Sequence, residues 1–463
     1  MRRTSLLLAS LSLAGALGAQ DFPVGRIVDK VECRDKPDQT YALFVPSDYV
    51  PGKKWPIIYA FDPGANGKVP VERFREAAEK YHFIVAASNN ARNGPWKPII
   101  DAAWAVWSDT EGRLSLDDKR IYAAGFSGGS RAASLFSWMI GRSVAGVIGC
   151  GAGLARGPGL GDTLPAAYYG IVGTADFNYR EMKRLDAELT SKSIPHWIEV
   201  IEDGHNWPSA AECADAIAWH EINAMRGNAF PRDESMIDAV YSAELERAAL
   251  LEKNGEAYRA ARRYNKIVSF FAGFRDTADI ARKIDGLKES PAYRKTKRDE
   301  EVRDRKEDSA LADFGRMFAV IEGSGRVDLN SLNLRISELE AEAARADDPA
   351  DRDLARRLLL GLSVDAGTRG LAFHAESVFR KAIICFDIAS RASEGDDSRR
   401  KFNLYNLACA QARSGNSKEA LKNLKLAVER GLKDKSLFLS DKDLDSLRQK
   451  PEFQEILKSL GSD

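Results

Sequence analysis

The chain of 463 residues is 44% hydrophobic and 29% charged, which is enough sequence for more than one domain with a core of its own. Its 68 basic and 68 acidic residues give a formal net charge of zero and exclude an electrostatic basis for binding nucleic acid or an anionic membrane surface. The five cysteines are widely spaced and odd in number, which excludes a disulfide-dense scaffold, and they show no CxxC metal spacing. One disulfide bond after export and five buried free thiols are both compatible with that pattern.

The first 19 residues are typical of a secretory signal peptide. Arg2 and Arg3 precede the apolar run LLLASLSLAGAL, which is too short to span a bilayer, and the small residues Gly18 and Ala19 follow at a cleavage site. A buried N-terminal helix is the alternative, and these flanks favour the signal. No later stretch of sequence is apolar enough to cross a membrane. We therefore expect an exported protein, either periplasmic or secreted.

Residues 20–228 alternate strand-like and helical patterns. The segments GRIVDKVEC and QTYALFVPSDY predict two antiparallel opening strands, and WPIIYAFDPG, HFIVAASNN and VAGVIGC predict buried strands. Helical patterns such as VERFREAAEKY and PIIDAAWAVWSDTEGR lie between the buried strands. Repeated βαβ units predict an α/β fold with a doubly wound, mostly parallel sheet and a site at the carboxyl ends of its strands.

The segment Gly125-Phe126-Ser127-Gly128-Gly129 follows a strand-like stretch from Arg120 to Gly125 and opens a helix of small residues. A GxSxG motif in this context predicts a nucleophile elbow, a strained strand-to-helix turn that exposes the serine oxygen at the positive end of the helix. The flanking positions must then be nearly free of side chains. Ser127 is therefore the candidate nucleophile.

An acid and a histidine follow in the chain order that the α/β-hydrolase arrangement requires. Asp176 comes after a predicted strand from Tyr168 to Val172, and His205 lies in a polar loop after a predicted strand from Trp197 to Ile201. The other four histidines begin apolar strands or lie in helical patterns: His82, His196, His220 and His374. Glu202 and Asp203 are competing acids, but they are too close along the chain to His205 for the usual geometry.

Acyl transfer also requires two backbone N–H groups that stabilise an oxyanion. One is expected from Gly128, the residue after the nucleophile, and the other from the turn after Phe61-Asp62. Pro63 has no N–H group, so the second donor is predicted to be Gly64 or Ala65.

Several pieces of residues 39–225 resemble the secreted esterases of the polyhydroxybutyrate-depolymerase and feruloyl-esterase type, which are related to dienelactone hydrolases. The pieces are YALFVPSDY, Phe61-Asp62-Pro63-Gly64, the GxSxG motif, Gly173-x-x-Asp176 and Gly204-His205-x-Trp207-Pro208. The resemblance implies hydrolysis of a small or polymeric ester by Ser127, Asp176 and His205, with no cofactor and no metal. The chain departs from this family at Asp62-Pro63, where such enzymes carry a His-Gly oxyanion motif.

Three further residues are candidates for contacting substrate. Trp207 could line an acyl pocket beside His205, and a place in the core under the loop is the alternative. Asn89 and Asn90 end a predicted strand and could hydrogen-bond substrate, although residues at such positions more often cap a turn.

Residues 229–463 predict a helical domain, since strand-like patterns end near the sequence RGNAFPRDES and all eight tryptophans lie before residue 220. Residues 401–434 resemble one tetratricopeptide repeat of period 34. Its packing positions are Leu404, Leu407, Ala408, Gly415, Ala420, Leu424 and Ala427. The segments YRKTKRDEEVRDRKED and LRISELEAEAARADDPADRDLARR carry both signs at helical spacing, which predicts solvated helices. Such repeats commonly bind protein partners, and bracing of the enzyme is the alternative.

These patterns leave two classes of function. The favoured one is an exported serine esterase, with a serine peptidase as the alternative enzyme because the same residues cleave amides. The other is an exported interaction protein in which a hydrolase-like domain has become a binding module. The complete set of Ser127, Asp176 and His205 favours the enzyme, because a binding module does not need it.

Overall fold

The computed structural model of the chain describes residues 22–157, 164–344 and 347–461. The predicted signal peptide at residues 1–19 lies outside the described residues. Among the described helices, none is both long enough and apolar enough to cross a membrane.

In the described residues, eight strands form one sheet in the order β1-β2-β4-β3-β5-β6-β7-β8. Strand β3 pairs in parallel with β4 and β5, and β7 pairs in parallel with β8. Strand β2 pairs antiparallel with β1 and β4. The predicted α/β fold with a mostly parallel sheet is thereby confirmed. The strands are β1 (Ile27–Glu32), β2 (Thr40–Phe44), β3 (Trp55–Phe61), β4 (Ile84–Ser88), β5 (Leu116–Phe126), β6 (Val144–Cys150), β7 (Ala167–Gly173) and β8 (His196–Ile201).

Five α-helices of the described chain follow β3 and lie between or after the later strands. Every residue of β3 and β7 is buried, as expected for central strands covered on both faces. The first turn of α5 is closed by a capping box between Ser209 and Glu212, which fixes where the chain turns into helix after the predicted histidine loop. The helices are α1 (Lys68–Tyr81), α2 (Trp96–Glu111), α3 (Gly128–Ile140), α4 (Tyr179–Ser191) and α5 (Ala210–Arg226).

The described chain after Arg226 is helical, as predicted. The helices are α6 (Glu234–Lys253), α7 (Ala257–Phe271), α8 (Ala278–Glu289), α9 (Pro291–Ser324), α10 (Leu329–Ala344), α11 (Pro349–Ala375), α12 (Phe379–Arg391), α13 (Asp397–Arg413), α14 (Ser417–Glu429), α15 (Lys435–Ser440) and α16 (Pro451–Ser459).

Contacts divide the chain into two compact units. Unit 1 contains the chain up to Gly149 together with Leu154–Ala167 and Pro208–Arg232. Unit 2 contains Cys150–Gly153, Tyr168–Trp207 and everything from Asp233 onward. Strand β8, helix α4 and nearly all of β7 therefore share a unit with the helices α6–α16.

Helices α13 and α14 form the helix–turn–helix in which the repeat was predicted. The predicted apolar packing positions are all buried, and Gly415 makes the turn with a φ of +84°. The same core continues into the last helices through Phe438, Leu444 and Phe453, so the pair buries its apolar face against its own C-terminal neighbours. Membership of the tetratricopeptide family remains a prediction.

Two expectations about side chains are resolved by the structure. All five cysteines belong to the described residues, are buried and form no disulfide bond there. The charged stretch at the start of α9, predicted as a solvated helix, is instead partly internal: Glu307 is only 1% exposed, and Asp304 and Asp308 bond to Arg180 of α4. The prediction holds for most of this stretch, whose side chains are exposed or half-buried, and fails at Glu307, because charge spacing along one helix does not reveal which neighbour supplies the opposite charge.

Candidate active site

The turn that carries Ser127 is held in a strained conformation. Ser127 stands between the end of β5 and the first residue of α3, with a φ of 54° and a ψ of −120°, a region that side-chain-bearing residues rarely occupy. Its hydroxyl does not cap its own helix. A Cβ atom on Gly125 would lie 2.1 Å from the carbonyl oxygen of Gly129, and one on Gly129 would lie 2.0 Å from that of Phe61. The glycines of the motif are therefore required by close backbone approach.

The side chain of Asn93 lies against the first residue of α3. A Cβ atom on Gly128 would meet Asn93 Oδ1 at 1.8 Å and Nδ2 at 2.7 Å, so the carboxamide occupies the space beside the N-terminus of the helix. The backbone N–H of Asn93 donates to the carbonyl of Pro63 at 2.9 Å. Asn93 is not among the residues predicted from the sequence, and its one signal is its place four residues after Asn89 in the same polar loop.

Asn89 and Asn90 are engaged with backbone instead. Asn89 accepts from the N–H of Gly67 at 3.0 Å and donates to the carbonyl of Asp29 at 3.1 Å. Asn90 accepts from Thr40 N at 2.8 Å and donates to the Asp38 carbonyl at 3.1 Å. The structure therefore gives both side chains a turn-anchoring role, and contact of either with substrate remains a prediction.

The turn after β3 uses the two N–H groups predicted as second oxyanion donors. Gly64 N donates to Asp62 Oδ2 at 2.8 Å, and Ala65 N donates to the Asp62 carbonyl at 3.0 Å. Asp62 is 8% exposed, so these bonds are largely shielded from water. Neither group is presented to a ligand in this structure. The N–H of Gly128 differs, because the first N–H groups of a helix have no intrahelical partner.

Asp176 and His205 are joined by a hydrogen bond. Asp176 follows β7, its side chain is 1% exposed, and its Oδ2 accepts from His205 Nδ1 at 2.8 Å. Its other oxygen accepts from the N–H of Asn178 at 2.8 Å. Because an ionised carboxylate is only an acceptor, this bond fixes the proton of a neutral His205 on Nδ1 and leaves Nε2 as a proton acceptor.

Backbone contacts hold the acid loop and the histidine loop together. A Cβ atom on Gly173 would meet the carbonyl oxygens of Asp203 at 2.3 Å and Gly204 at 2.4 Å, so only glycine fits at the end of β7. Ala175 N donates to the Asp203 carbonyl at 3.0 Å. The ring of Phe177 packs on the imidazole of His205, with 4.4 Å between the centroids.

The competing carboxylates have other partners. Asp203 Oδ1 accepts from Gly204 N at 2.7 Å and from Asn206 Nδ2 at 2.9 Å, which shapes the loop itself. The Glu202 side chain is 79% exposed and lies 3.5 Å from Arg259. Trp207 is partly exposed rather than part of the core, and its contact with substrate remains a prediction.

A cavity of about 690 Å³ within unit 2 opens beside the backbone of Thr174 and Gly204. Its walls include Lys266 and many charged side chains from α7, α9 and α11. Burial lowers the pKa of Lys266, which donates to the carbonyl of Ile198. A lining so dense in charge is unsuited to an apolar acyl chain, so this cavity is not the expected acyl pocket.

No protein-family model and no curated protein matches the sequence. The chain is similar in fold to solved structures that include a ferulic acid esterase, at 13% identity and a TM-score of 0.34 over 42% of this chain and 95% of the other. It is also similar to the S-formylglutathione hydrolase FrmB of Staphylococcus aureus, at 13% identity and a TM-score of 0.34 over 43% and 98%. A third is Est1E of Butyrivibrio proteoclasticus, at 12% identity and a TM-score of 0.33 over 41% and 94%.

Proposed function

We propose that the protein is a serine hydrolase that cleaves carboxylic esters through an acyl-enzyme intermediate. The observation that carries this proposal is the 2.8 Å bond from His205 Nδ1 to the buried Asp176, combined with the strained elbow at Ser127. A buried carboxylate that orients an imidazole is the arrangement that general-base activation of a serine requires. The choice of an ester follows from the GxSxG and GHxWP resemblance stated above.

In the proposed reaction, Ser127 Oγ attacks the acyl carbonyl carbon and passes its proton to Nε2 of His205. The tetrahedral intermediate collapses, His205 protonates the departing alcohol, and the acyl group stays on Ser127. Water then attacks the acyl-enzyme with His205 again as the base. Asp176 keeps the tautomer fixed and stabilises the imidazolium that forms in each step.

The oxyanion is proposed to receive hydrogen bonds from the N–H of Gly128 and from the side-chain amide of Asn93. The close fit of the Asn93 carboxamide against Gly128 supports this pairing. Gly64 and Ala65 remain the backbone alternatives, and their use requires the turn to release its bonds to Asp62. Two donors aimed at the developing charge are worth several kcal/mol of the barrier.

Export and the role of the helical region belong to the same proposal. We expect the first 18 or 19 residues to be removed during secretion. To test this cleavage, the protein is recovered from the periplasm or medium of a secreting bacterial host and its N-terminus is sequenced. A start at Met1 would contradict export through this segment. The proposal also includes a protein partner of the helices, and pull-down with the wild type and with a variant mutated on the exposed face of residues 397–461 would test this partner.

The deciding experiment measures release of p-nitrophenol from acetate, butyrate and octanoate esters by the wild type and by Ser127→Ala. Ser137→Ala is the matched control, because Ser137 lies on the same helix and its hydroxyl donates to the Ser134 carbonyl. Activity that is lost in Ser127→Ala and kept in Ser137→Ala supports the proposal, and the chain-length preference sizes the acyl pocket. A wild type that cleaves no ester but reacts with a fluorophosphonate at Ser127 points to amide substrates. No cleavage and no labelling would overturn the enzyme.

A further inference from the structure

Helix α11 touches the loop that carries Asp176 at two points one turn apart. Arg357 Nη1 donates to the carbonyl of Thr174 at 3.1 Å. Four residues later, Gly361 faces Phe177, and a Cβ atom on Gly361 would lie 3.4 Å from Phe177 Cβ. Thr174 and Phe177 flank Asp176 in the chain. One face of α11, which is 183 positions away at Arg357, therefore contacts the loop on both sides of the candidate acid.

Arg357 is itself held rigidly. Its Nε and Nη2 donate to the two carboxylate oxygens of Glu307 on α9 at 2.8 and 2.7 Å, and the side chains are 5% and 2% exposed. A bidentate pair out of water fixes the guanidinium plane, which leaves Nη1 aimed at the Thr174 carbonyl. The guanidinium also lies over the ring of Tyr179, 4.7 Å from its centroid. Tyr179 begins α4 and donates its N–H to the Asp176 carbonyl at 2.9 Å.

The helix that follows the acid loop is tied to α9 by further ion pairs. Arg180 bonds to Asp304 and Asp308 at 3.1 and 2.7 Å, and Lys183 bonds to Asp304 at 2.9 Å. These side chains are 14–37% exposed. The acid loop is thus supported on its N-terminal side by Arg357 and on its C-terminal side by the contacts of α4.

We propose that Arg357 is a positioning residue for the Asp176–His205 pair. In this proposal the helical region holds the candidate acid and base in place for catalysis. Arg357 acts through the Thr174 carbonyl and Tyr179 on Asp176, and α11 acts through Phe177 on the ring of His205. This proposal rests on the function proposed above. It gives a role to the buried charge pair of α9 and α11, although apolar residues at the two positions would cost less desolvation.

Truncation of Arg357 alone would leave Glu307 buried and uncompensated, so the test replaces both partners. The variant Arg357→Met with Glu307→Leu gives the site an apolar pair, and Arg357→Met with Glu307→Gln gives it an uncharged pair that keeps one polar side chain. The matched control is Arg369→Met with Glu322→Leu, which removes another ion pair between the same two helices at a distance from the acid loop. Thermal unfolding establishes that each variant is folded at the assay temperature, and either test variant suffices if the other fails to fold.

The first readout is independent of ester cleavage. In protein labelled with nitrogen-15 in its histidines, the Nδ1 proton of His205 bonded to a carboxylate gives a far-downfield proton resonance, assigned by its loss in His205→Gln. We expect both Arg357 variants to lose or shift this resonance and the control to keep it. The second readout is steady-state kinetics: kcat is expected to fall about 10- to 100-fold in the Arg357 variants, with KM nearly unchanged, because a misplaced base affects the transition state.

The positioning role would be overturned if a folded Arg357 variant kept the His205 Nδ1 proton resonance of the wild type and had the same kcat as the control variant. If the wild type cleaves no ester, the proposed ester hydrolysis has failed. The His205 resonance alone then tests whether Arg357 positions the Asp176–His205 pair. A resonance disturbed only in the Arg357 variants would still establish that α11 positions the pair.

Discussion

The elbow in unit 1 and the acid–histidine pair in unit 2 are held by different kinds of contact. The elbow depends on glycines two residues from Ser127 and on the adjacent strand end at Phe61. The acid loop also depends on Arg357, which is 183 positions away from Thr174. A steric requirement that acts within one short motif leaves a signature in the sequence, whereas support from a distant helix leaves none.

Both units contain buried ion pairs, such as Arg120–Glu221 in unit 1, but His220 of unit 1 is a buried titratable group without an ionic partner among the described residues. In unit 1, the imidazole of His220 is 2% exposed and lies between the rings of Tyr122 and Trp219. In unit 2, the buried Glu307 and Arg357 satisfy one another through two hydrogen bonds. A buried neutral imidazole makes the free energy of unfolding depend on pH, because the unfolded chain can take up its proton. A buried ion pair makes the free energy of unfolding depend on both partners being present.

The largest effect should follow from breaking the pair itself. Asp176→Asn should lower kcat by about 10³- to 10⁴-fold, because an amide no longer holds the required tautomer of His205. Steady-state kinetics measure this change. Asp203→Asn is the control, since an amide oxygen can still accept from Gly204 N and Asn206 Nδ2. Equal losses in the two variants would refute Asp176 as the acid.

Breaking the distant support should affect stability next. Arg357→Met alone should lower the free energy of unfolding by about 3–5 kcal/mol, because Glu307 stays buried without its partner. Urea denaturation followed by circular dichroism measures the change. Arg369→Met, whose ion pair with Glu322 is 32% and 48% exposed, should cost less than about 1 kcal/mol. A loss no larger at position 357 than at 369 would mean that the pair does not anchor the loop.

The elbow is tested through its neighbouring asparagine. Asn93→Ala should lower kcat by about 10²-fold with KM little changed, as expected when one oxyanion donor is removed. Asn90→Ala is the control and should affect stability rather than kcat, because Asn90 bonds to the backbone of Thr40 and Asp38. Kinetics and urea denaturation together separate the two outcomes. A wild-type kcat in Asn93→Ala would return the role to the turn of Gly64 and Ala65.

The smallest effect concerns the acid sensitivity of unit 1. Burial lowers the pKa of His220 to about 3. Between pH 7 and pH 5 only the unfolded chain then takes up this proton, so the His220 contribution lowers the free energy of unfolding by about 2 kcal/mol. Burial raises the pKa of Glu221 to about 7, and that contribution has the opposite sign in the same interval.

The His220 contribution is therefore read from the difference between His220→Leu and the wild type. On acidification from pH 7 to pH 5, the variant should gain about 2 kcal/mol relative to the wild type in urea denaturation. His82→Asn, at an exposed histidine that ends α1, is the matched control substitution. If the free energy of unfolding changed equally with pH in the wild type and in His220→Leu, the imidazole of His220 would not be buried in a neutral form.

The α/β fold and the residues of the candidate pair were accessible from sequence for identifiable reasons. Buried strands appear in the sequence as apolar runs, and the serine turn appears as a GxSxG motif. Asp176 and His205 each follow directly after a predicted strand. The boundaries followed as well: the strand predicted at Tyr168 to Val172 is β7, Ala167–Gly173. Whether Ser127, Asp176 and His205 act together in catalysis remains the prediction that the kinetic variants test.

The assignments that sequence reasoning missed or misplaced involve polar side chains whose partners lie elsewhere in the chain. Asn89, Asn90 and Asn93 share one loop, and nothing local distinguishes the two that anchor backbone from the one beside Gly128. The charges of α9 have the spacing of a solvated helix, yet Glu307 is buried against Arg357.

The sequence by itself therefore determined the strand order along the chain, the strained serine turn and the candidate acid and base, because glycine requirements and apolar periodicity act between near neighbours. Only the tertiary structure decided that the N–H groups of Gly64 and Ala65 bond to Asp62 and that Arg357 reaches the Thr174 carbonyl. Hydrogen bonds and ion pairs of that kind depend on which distant surfaces meet, and a pattern of residue types does not encode that choice locally.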